Sequence, residues 1–126
     1  MHRMGAQANA AALIDRVRQI ALALDGASEK LSHGEPTFFV RGRTFAMIDN
    51  HHHGADHIAV YCNAPEGAQR SLVEADAEHF FVPPYVGKAG WIGVRLDRSL
   101  PWSVIGDLVR QAHAMTGIKK SGRRGL

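Results

Sequence analysis

The sequence predicts a two-layer α+β domain in which helices cover one face of a five-stranded, mostly antiparallel sheet. Three observations carry this. Apolar residues recur at helical spacing over 13–24 and again over 102–115. Between those segments lie short aromatic and aliphatic runs cut by glycine and proline, which is how strands and turns punctuate a chain. The order is helix, three strands, helix, two strands, helix, and a meander of that kind needs a layer over its apolar face.

The first helix is expected from Asn9, a capping residue, with Leu13, Ile14, Val17, Ile20, Ala21 and Leu24 forming one stripe. Asp15, Arg16, Arg18 and Gln19 fall on the wet side, and Asp25-Gly26 supplies the stop. Ala27 to Leu31 reads as a short connection. Pro36 pushes Glu35 toward extended backbone and marks a strand start. Phe38-Phe39-Val40 and Phe45-Ala46-Met47-Ile48, with Gly42 between them, predict a tight hairpin. Asp49 to Asp56 reads as a polar loop, and His57 to Asn63 as a third strand.

Pro65 fits the first turn of a helix through Ala68, Leu72, Val73 and Ala75. Phe80-Phe81-Val82 is a strand ended by Pro83-Pro84, and a loop over 85–90 leads to the last strand, 91–97. There Ile92, Val94 and Leu96 share the core face, while Trp91, Gly93 and Arg95 share the other. Pro101 opens the final helix, with Trp102, Ile105, Leu108, Val109, Ala112 and Met115 inward, and Gly117 ends it.

A chain of 126 residues, 45% hydrophobic and 21% charged, suits one globular domain, expected over 1–118. Its apolar runs are far shorter than the ~20 residues that span a bilayer. The N-terminus lacks the apolar core of a secretory signal, and one cysteine, Cys62, staples nothing within the chain. These features point to a reducing cytoplasm. Lys119, Lys120, Arg123 and Arg124 are four of the fifteen basic residues; the other eleven face twelve acids. The net charge of +3 therefore belongs to a basic tail over 119–126, and the body is near neutral.

Two constellations point to chemistry and then argue against themselves. His51, His52, His53 and His57, with Asp49 and Asp56, are zinc or nickel ligand types. Consecutive residues in extended backbone face opposite ways, however, so three adjacent histidines do not converge on one ion, and no metal is expected. His33 and Glu35 would share a strand face as an acid/base pair, with Tyr85 and Cys62 as further reactive types. Nothing in the sequence orients the histidine or supplies an oxyanion hole, and Cys62 reads as a small buried hydrophobe. No catalytic residue and no cofactor is assigned.

Two blocks, Ser28 to Ala46 (SEKLSHGEPTFFVRGRTFA) and Phe81 to Val94 (FVPPYVGKAGWIGV), resemble the MmcQ/YjbR-like family of small bacterial proteins. The resemblance runs from about residue 10 to 116. It implies an α-β(3)-α-β(2)-α fold, similar in shape to secretion chaperones and to frataxin, and a double-wing mode of DNA binding. The chain departs from the family in two places. Arg43 stands where a lysine is frequent, which keeps the charge, and Ala112-His113 stands where the family often has Ser-Tyr.

Applied here, the wings are Arg41-Gly42-Arg43 and Gly87-Lys88-Ala89-Gly90, each a cation beside a glycine that lets backbone approach a phosphate. Arg95 would add a phosphate contact and Trp91 a stacking surface, giving salt-dependent binding of double-stranded DNA with little base selectivity. The competing reading treats turn cations as solubilising groups and uses the exposed sheet face, with Trp91, to dock a protein, a peptide or a second copy. Neither a membrane nor a small-molecule substrate is expected.

Overall fold

The computed structural model describes residues 2–51 and 57–118. The chain folds as α1 (His2–Leu22), β1 (Ala27–Ser32), β2 (Glu35–Val40), β3 (Arg43–Asn50), β4 (Ile58–Cys62), α2 (Ala68–Ala75), β5 (Phe80–Phe81), β6 (Ile92–Arg95) and α3 (Trp102–Thr116). Pairing is antiparallel throughout, in the order β1-β2-β3-β4-β6-β5.

The sheet has six strands, not five. The additional one is β1, over residues expected to be a connection. Ala-Ser-Glu-Lys-Leu-Ser has neither β-branched nor aromatic residues, so local propensity hides it. Pairing forms it instead: all six of its residues are matched to β2. The joining turn, His33-Gly34, has positive φ at both residues (53° and 82°), the two-residue geometry that follows strand twist. Arg18 on α1 then fastens the strand, its Nε and Nη2 donating to the Glu29 carboxylate at 2.9–3.0 Å.

α1 starts well before Asn9, which lies inside the helix rather than capping it. The alanines at 6, 8, 10, 11 and 12 are strong helix formers and carry the helix through. Its inner stripe is as expected: Val17 and Ala21 are fully buried, with Leu13, Ile14, Ile20 and Leu24 packed around them.

The core lies between the helices and one face of the sheet, built from Phe38, Phe45, Val60, Ile92, Ile105 and Val109. A bulge between β2 and β3 matters here. Phe38 pairs with Ala46 and Phe39 with Thr44, leaving Phe45 unpaired. The extra residue lets Phe45 and Ala46, neighbours in sequence, both turn into the core. Phe45 sits 6.4 Å from the Phe38 ring and edge-on to His113 of α3 at 5.2 Å. Cys62 is fully buried and its thiol is pushed up to about 12 by burial, so it packs as an apolar residue. No helix among the described residues is long and apolar enough to cross a membrane.

Candidate nucleic-acid interface

Strand register decides which turns are neighbours. Ala46 pairs with Cys62, and Cys62 with Ile92. The start of β3, the end of β4 and the start of β6 therefore lie at one end of the sheet. Two cationic turns project from that end, separated by β4.

The first is Arg41-Gly42, with φ of 53° and 74°, joining Val40 to Arg43 across a two-residue turn. Both arginines are exposed. The second was expected as a hairpin tip at 87–90, but it is a 3-10 turn, Val86–Ala89, inside the longer connection 82–91. Pro83-Pro84 stop β5 after two residues and force the chain to loop out. The loop is held rigidly. Gly87 N donates to Pro83 O at 3.1 Å and Gly90 N to Gly87 O at 3.0 Å. From α2, the Gln69 amide donates to Gly87 O at 2.9 Å and to Trp91 O at 2.6 Å. Lys88 stands exposed on this turn and, with Arg70, lines a cleft of about 640 Å³ against α2. Among the described residues, Arg41, Arg43 and Lys88 take part in no ion pair.

Trp91 and Arg95 are placed differently from the expectation. Trp91 is half-buried beside the clasped loop rather than displayed as a stacking surface. Arg95 pairs with Ala59, away from the turns, and its guanidinium bonds Asp97 at 2.9 and 3.2 Å. Burial works against the Asp97 carboxylate, but the hydrogen bond and charge of Arg95 outweigh it and hold the group below the ordinary carboxylate range. Arg95 is thus neither at the wing end nor available as a simple cation.

The uncovered face of the sheet holds an arrangement that sequence reasoning missed. Asp49, expected in a loop, is on β3 and only 3% exposed. Tyr61 on β4 is 4% exposed and donates its hydroxyl to Asp49, which pushes the phenol far above its ordinary range, burial being the largest cause. His57 Nε2 lies 3.4 Å from the same carboxylate. The Phe81 ring covers the group, 4.6 Å from the His57 ring and 5.9 Å from Tyr61. The available clue was an acid within an apolar alternation two positions from Met47.

His33 and Glu35 do not form the strand pair considered above. His33 occupies the β1–β2 turn and is exposed, while Glu35 Oε2 accepts the backbone N–H of Asn50 at 3.2 Å. Of the histidine cluster, His51 is exposed and turns at φ 62°; His52, His53 and Asp56 lie outside the described residues, as does the tail over 119–126. Among the described residues no group of three His, Cys, Asp or Glu side chains is arranged to hold a metal.

The YjbR family profile matches residues 22–115, three-quarters of the chain. The chain belongs to the YjbR family. Its fold is that of the crystal structure of the Deinococcus radiodurans protein DR2400, a DUF419-domain protein, with a TM-score of 0.72 and 20% identity. That similarity covers 89% of this chain and 86% of the other. The curated proteins contain no match to this chain. The YjbR match begins at the end of α1 and stops one residue short of the end of α3, so it includes both cationic turns.

Proposed function

We propose that this YjbR-family protein is a DNA-binding accessory protein that grips the phosphate backbone from one end of its sheet. One observation carries the reading: Arg41 and Arg43 at one turn and Lys88 on another are exposed at the same end of the sheet, although they are separated by some forty-five residues of chain. The midline of β2 and β3 lies two and a half strand spacings from β6, about 12 Å. That is comparable to the width of the DNA major groove, so the turns can reach phosphates on either side of it. Phosphate contacts of this kind fix position without reading sequence. Arg95 and Trp91 are not part of the proposed surface.

Docking of a protein on the open sheet face has less support. The large exposed apolar residues among those described, such as Leu31, Val82 and Tyr85, come from none of the central strands β2, β3, β4 and β6. The centre of that face is closed by Phe81 over Tyr61 and Asp49.

Fluorescence anisotropy with a labelled duplex tests the proposal. Arg41→Ala combined with Arg43→Ala is expected to weaken binding at least tenfold at low salt, while a chain ending at Ile118 keeps its affinity for duplex. Unchanged affinity in the double variant, or loss of all binding with the tail, would refute the surface.

A further inference from the structure

Between the Arg41-Gly42 turn and the end of α3 lies a cavity of about 270 Å³. Three pieces of chain line it: Asp25-Gly26 after α1, Val40-Arg41 at the end of β2, and the end of α3 with Gly117. These pieces are tied together within the fold. His113 Nε2–H donates to the Asp25 carbonyl at 2.7 Å, although 88 positions separate the two, and the Phe45 ring braces the same imidazole edge-on. Gly117 has φ −78°, which any residue adopts, so backbone does not demand a glycine there. A Cβ would stand 3.2 Å from His113 O and 3.6 Å from Val40 Cγ2, inside the space that the glycine leaves open. Two exposed side chains of opposite sign, Asp25 and Arg41, line the cavity. Among the described residues neither takes part in an ion pair, with the other or with a third group.

We propose that this cavity binds a small zwitterion, a free α-amino acid with an aliphatic side chain. Its carboxylate would pair with Arg41, its ammonium with Asp25, and its side chain would lie against Val40 and Ala114. The end of α3 favours the ammonium as well, because a helix is negative at its carbonyl end and the His113 bond sets that end beside Asp25. A plain anion would meet the Asp25 carboxylate and a plain cation the Arg41 guanidinium, so a ligand carrying both charges fits better than either. The volume is just below the ~300–1,000 Å³ of pockets that hold drug-sized molecules, which suits a smaller one. The inference is independent of DNA binding, and its test uses no nucleic acid.

The test is calorimetric titration of the full chain with glycine, valine and leucine. Valine or leucine is expected to bind more tightly than glycine, because the wall between the charges is apolar. For the tighter of the two, the matching acid without the ammonium and the matching amine without the carboxylate should each bind about fivefold or more weakly. Asp25→Asn should weaken the amino acid by a similar factor while leaving the acid unaffected or improved. Ala114→Leu, at an exposed helical position where the fold tolerates it, fills the cavity and should abolish binding. No heat from any of the three amino acids up to ~10 mM would overturn the proposal. So would equal affinity for the acid or the amine, or unchanged affinity in Ala114→Leu.

Discussion

Replacing Gly93 by alanine puts the packing of the open sheet face to a direct test. Gly93 lies on β6 opposite Tyr61 on one side and Phe81 on the other. A Cβ at this position would sit 2.5 Å from two atoms of the Phe81 ring and 2.8 Å from a third. No real contact is that short, so the ring must swing away, giving up its places against His57 and Tyr61. Overpacking of this kind costs about 1–3 kcal/mol. In a domain of this size that lowers Tm by roughly 4–12 °C. The sharper result concerns the sign. Once Phe81→Ala has removed the ring, those three contacts are gone and Gly93→Ala replaces a flexible glycine in a strand interior. It should then stabilise by about 0.5–1 kcal/mol. Thermal melts of the four proteins in this cycle give the coupling. If Gly93→Ala costs as much without Phe81 as with it, the ring is not what the glycine accommodates.

Tyr61→Phe removes the donor that serves the buried Asp49 carboxylate and is expected to cost about 1–3 kcal/mol in chemical denaturation. In the wild type, absorbance titration should leave Tyr61 un-ionised through ~pH 10, the ordinary phenol value. His79 is shifted upward as well, but there it is the charged form that gains. Its hydrogen bond to Asp76, and then the Arg98 carbonyl, raise its pKa in the folded state above the unfolded value of ~6.5. That stabilisation is complete below ~pH 6.5 and disappears as pH rises through the folded value. The Tm difference between wild type and His79→Ala should therefore be larger at ~pH 5.5 than at ~pH 8.5; a difference independent of pH would contradict this.

Helical spacing and aromatic runs made most of the fold legible. Val17, Val94 and Ile105 are core residues in the sequence pattern and in the structure alike. β1 was hidden because its stability is borrowed, from β2 across the His33-Gly34 turn and from Arg18 on another element. Asp49 reads as loop because an acid beside Asn50 and histidines looks like polar surface; only its pairing with Ala59 carries it into the sheet. At the candidate site, Arg41 and Arg43 could be read directly from Arg-Gly-Arg between two apolar runs. Arg95 could not, since a cation two residues before Asp97 looks the same in sequence whether it is paired or free.

The slope of log K against log[salt] for wild-type protein and duplex DNA, over ~50–200 mM, tests the phosphate surface most directly. Three contacts, from Arg41, Arg43 and Lys88, predict a slope of about −2.7, falling to about −0.9 when both arginines are alanine. A slope near zero, or one that the double variant leaves unchanged, would contradict the account.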